Sequence, residues 1–99
     1  MTTIVANKKG ESYRLVAVNH ATPVVCHAVS ALIWTLEGAL QNCKETEDHN
    51  AILEEGFADI AFNAKDEMIA EDFRLIVSGL LHIENTYPNE ISVKQNIFT

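Results

Sequence analysis

The sequence predicts an α+β domain, a mostly antiparallel sheet carrying two helices, with elements in the order ββαββαβ. Three observations point there. Two long runs repeat apolar residues at three- and four-residue spacing, while most of the segments around them alternate apolar and polar residues. Gly10 and Gly56 each fall between a pair of strand-like segments, where a hairpin loop needs a residue free to adopt positive φ. Pro88 stops the second helical run shortly before a last apolar segment.

The first two strands are expected at Thr3–Asn7 and Tyr13–Asn19, joined through Lys8-Lys9-Gly10-Glu11. In the second, Tyr13, Leu15 and Ala17 alternate with Arg14, Val16 and Val18, giving one better-covered face. Thr22-Pro23 reads as a helix start, with threonine as the cap and proline in the first turn, where its missing N–H does no harm. Val25, Ala28, Val29, Leu32, Ile33, Leu36 and Leu40 make the buried stripe of that helix, which ends at Asn42-Cys43-Lys44. Glu45–His49 reads as a polar loop. Ala51–Leu53 and Phe57–Phe62 read as a second hairpin around Glu54-Glu55-Gly56. The second helix begins near Lys65 or Asp66, with acidic residues in its first turns and a stripe of Ile69, Phe73, Ile76, Val77, Leu80, Ile83 and Tyr87. Gly79 lies inside it and implies close approach of a neighbouring element. Ile91–Ile97 is the last strand.

The 99 residues are read as one domain, 1–99. A formal charge of −7 argues against a nucleic-acid partner, because binding to phosphates depends on Lys and Arg. The apolar stretches are interrupted by Ser30, Thr35 and Glu37, or by Glu71, Asp72 and Arg74, so no membrane span is expected. Two cysteines in unlike surroundings do not form a disulfide framework, and the start of the chain lacks the order of a signal peptide. A cytoplasmic location is therefore expected. Neither a phosphate loop, a dinucleotide motif nor a metal-ligand spacing is present in the sequence, so no cofactor and no metal are expected.

His20 and Cys26 carry the chemistry. They place a base just before the first helix and a thiol inside its first turn, near the positive end of the helix dipole. That setting favours the thiolate, the nucleophilic form of cysteine, and an imidazole within hydrogen-bond reach would complete a dyad. The residues alone leave a second reading open, in which Cys26 is a small buried apolar side chain among valines and alanines.

Val24-Val25-Cys26-His27-Ala28-Val29-Ser30, with His20-Ala21 upstream, resembles the signature of the Prp family of ribosomal-processing cysteine proteases. That signature runs Gly-His-Ala, a loop, an acidic residue, two aliphatics and Cys-Ala-Ala-Val-Ser. Gly79-Leu80 and Tyr87-Pro88 resemble a second pair of family motifs in the last helix, and the order of elements agrees over nearly the whole chain. The resemblance implies a small cytoplasmic homodimer that removes a short N-terminal extension from a ribosomal large-subunit protein, cutting after a phenylalanine in an aromatic-rich peptide. Relatives in phage genomes add a virion protein as a second source of substrate.

By motif, the resemblance makes Cys26 the nucleophile, His20 the base and Ser30 a supporting residue one helical turn after Cys26. Four departures mark a divergent member. The loop between histidine and cysteine is about half the family's usual length; Pro23 stands where the acidic residue belongs; Asn19 replaces the glycine, and His27 an alanine. Loss of the carboxylate removes a candidate orienter of the imidazole.

His27 points about 100° away from Cys26 around the helix and is assigned to surface or interface. His49 is assigned to the polar loop and His82 to the second helix. Cys43, at a helix C-terminus, should be the less reactive thiol, and Trp34 is assigned to core or dimer surface. Two functions follow. One is a cysteine endopeptidase acting on a ribosomal or phage peptide; the other is a catalytically silent homodimeric peptide-binding or assembly protein with the same fold.

Overall fold

The computed structural model describes residues 1–98. Its elements are β1 (Thr2–Lys9), β2 (Ser12–Val18), α1 (Pro23–Gln41), β3 (Thr46–Glu54), β4 (Phe57–Ala64), α2 (Glu67–Thr86) and β5 (Ile91–Phe98). The five strands form one sheet in the order β3-β4-β2-β1-β5. Three pairings are antiparallel, and only β1 with β5 is parallel. The order ββαββαβ and the mostly antiparallel sheet are as the sequence predicts.

Strand alternation decides which face the helices cover. Ile4 and Ala6, Tyr13, Leu15 and Ala17, and Ile60, Phe62 and Ala64 are buried together with the helix stripes. The register sets Ile4 opposite Ala17 and Leu15 opposite Ile60, so the apolar rows of neighbouring strands line up. From α1, Val25, Val29, Ile33, Leu36 and Leu40 enter this core; from α2, Ile69, Phe73, Ile76, Val77 and Leu80 do. Each such side chain contributes about 1.5–3 kcal/mol on leaving water. Tyr13 stacks on Phe62 at 4.8 Å, and Phe73 meets Tyr13 edge-on at 5.2 Å, locking α2 to the sheet. At Gly79 the close approach is that of α1: a β-carbon there would lie 2.9 Å from Leu32 Cδ1.

Four expectations are corrected. The segment read as a polar loop, Glu45–His49, belongs mostly to β3, which starts at Thr46 as a polar edge strand with a bulge between Glu47 and Asn50. Most β3 residues are exposed and the bulge shifts its register, so the apolar alternation that marks a half-covered strand is missing. His49 is consequently held in that strand, 2.7 Å from the buried Glu37 of α1, whose other oxygen accepts a hydrogen bond from Gln41. Thr22 occupies the N-cap position of α1, but its side chain makes no capping hydrogen bond. Finally, α1 is by length and composition apolar enough to cross a bilayer, although Glu37 lies within it and its stripe faces the core. Asp66, by contrast, caps α2 by accepting the Met68 N–H at 2.8 Å.

Candidate active site

The site is built where β2 hands over to α1. Strand β2 ends at Val18, and Asn19 turns the chain with φ of 73°. Non-glycine residues avoid that region, but asparagine tolerates it, so Asn19 can stand where the family signature has glycine. Its N–H donates to the carbonyl of Gly56 at 2.9 Å, and its own carbonyl accepts the Thr2 hydroxyl at 3.1 Å. These bonds fix the residue before His20 against the β3–β4 turn.

The exposed imidazole of His20 lies over that turn. Gly56 has φ of 76°, and a β-carbon on it would come within 2.7 Å of His20 Nε2. The chain then passes to α1 with little slack. The Thr22 N–H donates to Glu90 Oε1 at 3.1 Å, and the Cys26 N–H donates to the Thr22 carbonyl at 2.9 Å. Pro23 takes the first helical position, where no N–H is needed.

Cys26 is half-buried. Its sulfur receives the Ala21 N–H at 3.2 Å and lies 3.4 Å from the Ala21 carbonyl, which the S–H donates to. The amide donor suits a thiolate, and the carbonyl suits a thiol, so the two protonation states have different partners within one residue. Among the described residues no hydrogen bond joins Cys26 to His20. Both nevertheless line one cleft of about 320 Å³, whose opposite wall is the end of the β3–β4 hairpin, Glu54 to Ala58.

Ser30 lines the same cleft and is exposed. Among the described residues its hydroxyl makes no hydrogen bond, neither to the Cys26 carbonyl nor to a side chain, so it faces the cleft as a free donor and acceptor. His27 is exposed, as expected, but it also borders the cleft, which its angular offset from Cys26 did not foretell. Of its two assignments, core and dimer surface, Trp34 is excluded from the first. It is 59% exposed and walls an adjoining cleft of about 310 Å³ that shares Ser30, Ile33, Glu54, Glu55 and Ala58 with the first.

Sequence reasoning missed the groups that hold the site rather than perform its chemistry. Gly56 reads as a turn glycine and nothing more. Glu90 lies 68 residues from Thr22, the N–H it anchors, and no local pattern signals that bond. Among the described residues no three metal-ligating side chains gather into a cation site.

A mixed five-stranded sheet, two helices on one face, and a cysteine at the start of the first helix beside a hairpin cleft define the class of structure. No family model matches the sequence, and no curated protein matches it. Among solved structures it is similar to the essential ribosomal processing protease Prp from Staphylococcus aureus with a covalently linked product peptide. The TM-score is 0.83 at 17% identity, covering 97% of this chain and all of that one (100%). The same protease with a substrate peptide gives 0.79 at 16% identity, again over 97% and 100%. A protein from Streptococcus mutans gives 0.76 at 17% identity, over 99% of both chains. These likenesses establish a Prp-like fold.

Proposed function

We propose that this chain is a cysteine endopeptidase of Prp type, which removes an N-terminal extension from a ribosomal large-subunit protein or a phage structural protein. One observation carries the reading: Cys26 and His20 line the same cleft, in a fold whose solved examples hold peptide as substrate and as covalent product.

The chemistry follows from the two residues. Cys26 Sγ attacks the scissile carbonyl carbon, and its proton passes to His20. His20 then protonates the departing amine as the C–N bond breaks and a thioester forms. Water, deprotonated by His20, attacks the thioester and releases the acid and the thiol. In the resting site the thiol bonds to Ala21 and not to His20, so the dyad closes when peptide enters. Catalytic hydrogen bonds commonly tighten only in the loaded site. Ser30, one turn below Cys26 and unpaired, is in place to bond the peptide. The edge strand β3 offers backbone groups for strand addition by an extended peptide. The protein acts as a cytoplasmic homodimer.

The same open dyad favours a second reading, a silent peptide-binding or assembly protein with this fold. Incubation with a peptide bearing an aromatic-rich N-terminal extension, followed by mass spectrometry, separates the two. A peptidase cuts it, Cys26→Ala abolishes cutting with the fold retained, and His20→Ala lowers the rate by about 10²–10⁴-fold. Binding without cutting, unchanged in Cys26→Ala, establishes the silent protein.

A further inference from the structure

Beyond the dyad, the two clefts form one continuous groove between α1 and the β3–β4 hairpin, sharing Ser30, Ile33, Glu54, Glu55 and Ala58. We propose that the far end of this groove is a subsite for a cationic residue of the peptide, held between Trp34 and the carboxylates of Glu54 and Glu55. The proposal rests on the reading of the groove as a peptide site and adds a selectivity to it.

Three features support it. Neither glutamate has an ion-pair partner among the described residues, and no Lys or Arg lines either cleft. The wall therefore carries uncompensated negative charge that a cation would complement. Trp34 stands opposite, 59% exposed, and presents the aromatic surface on which a Lys or Arg packs most favourably. Its exposure costs apolar hydration that an occupant's methylene stem would relieve.

The position of that residue follows from helix geometry. Trp34 is eight residues beyond Cys26 on α1, about 12 Å along the axis at ~1.5 Å per residue. An extended peptide advances ~3.3 Å per residue, so the cation falls about three to four residues from the bond over Cys26. The lining contains no other charged group at that end, and the two imidazoles of His20 and His27 lie at the opposite end.

Trp34 is the only tryptophan, so its emission reports occupancy of this end of the groove without any need for turnover. The test uses the full chain with Cys26→Ala and capped, Trp-free peptides with a central phenylalanine. Each carries Lys or Glu three or four residues to one side or the other of the bond after that phenylalanine. Titrations should shift Trp34 emission, with one Lys peptide binding about three- to tenfold more tightly than its Glu counterpart. Raising salt from about 20 to 200 mM should narrow the gap. In the Glu54→Gln/Glu55→Gln variant the gap should close.

Equal affinity of Lys and Glu peptides overturns the proposal. So does a gap that survives neutralisation of both glutamates, binding with unchanged Trp34 emission, or no binding at all. Parallel digestion by the unsubstituted protein keeps the readings apart. Cutting without charge preference removes the subsite and leaves the peptidase; charge-selective binding without cutting does the reverse.

Discussion

His20 rests its imidazole on Gly56, with Nε2 only 2.7 Å from where a β-carbon of that residue would stand. The two belong to different parts of the chain, one ending β2 and the other turning β3 into β4. The hairpin turn is thus the seat of the proposed base. Its left-handed φ of 76° favours glycine, and the ring above it leaves no room for a β-carbon.

The two demands separate by substitution. Gly56→Ala meets both the φ strain and the clash. It should cost about 1–2 kcal/mol, lowering Tm by about 4–16 °C for a domain of this size. Gly56→Asn tolerates the backbone but still carries a β-carbon, so it should keep most of the stability while displacing His20. Calorimetry together with the NMR signals of the His20 ring measures both. An Asn variant with native His20 signals would show that the ring does not depend on this seat.

Cys26 should react with iodoacetamide faster than Cys43 at neutral pH. Cys26 lines the cleft and accepts an N–H from Ala21, whereas Cys43 packs against the hydrophobic core beyond the C-terminal end of α1. Mass mapping of alkylation against time checks this; equal rates would make Cys26 an inert structural thiol.

Glu90 is predicted to position the loop that carries the proposed dyad. Its carboxylate holds the Thr22 N–H, while its own carbonyl accepts from the Thr2 N–H at 2.9 Å. Glu90→Ala should lose about 1 kcal/mol of stability at this exposed bond. It should also speed hydrogen exchange at the Thr22 amide and lower kcat more than it raises KM. Glu90→Gln keeps an acceptor and should restore most of each. Loss of kcat with unchanged exchange at Thr22 would place the effect elsewhere.

Alkaline pH should weaken the fold through Tyr13. Burial, chiefly, holds its phenol above the ordinary value of 10.0; the Arg74 charge works against that and Glu11 with it. The native state therefore keeps a proton that the unfolded chain releases near pH 10. This contribution is complete below that pH and is lost as pH climbs through the folded value. Denaturant midpoints between about pH 9 and 11 should fall, and absorbance at 295 nm should show a late-ionising tyrosine. Tyr13→Phe should flatten the loss.

A homodimer is the expected assembly. Val24 on α1 and Met68 and Leu75 on α2 are 63%, 73% and 71% exposed, leaving apolar side chains on the outside of both helices. Light scattering at micromolar concentration should give about twice the mass of one chain, and a clean monomer would refute it.

Most of the architecture was legible because it is written in local periodicity. The stripes of α1 and α2 and the alternation of Tyr13, Leu15 and Ala17 predict the buried faces found, except Tyr87, which follows the last residue of α2 and is exposed. Strand β3 was cut short because half of it, from Thr46 to Asn50, is a polar edge with a bulge. Within the site, His20, Cys26 and Ser30 lie in one short segment, and their shared cleft was foreseeable in outline. The seat at Gly56, the strap from Glu90 and the tryptophan wall were not, since each depends on residues brought together only by the sheet.

The bulge in β3 has a bearing on solubility. An edge strand with free N–H and C=O groups invites another sheet to continue it. Here Asp48 is bent to φ of 51° and tied through Asn63 to Ser12, with Glu47 beside it. A neighbouring chain cannot run straight along so kinked and charged a border, which blocks fibril-like stacking from that side. Only Asn50–Glu54, the half next to the groove, remains flat enough to accept a partner strand. The border thus admits a short guest and refuses a long one.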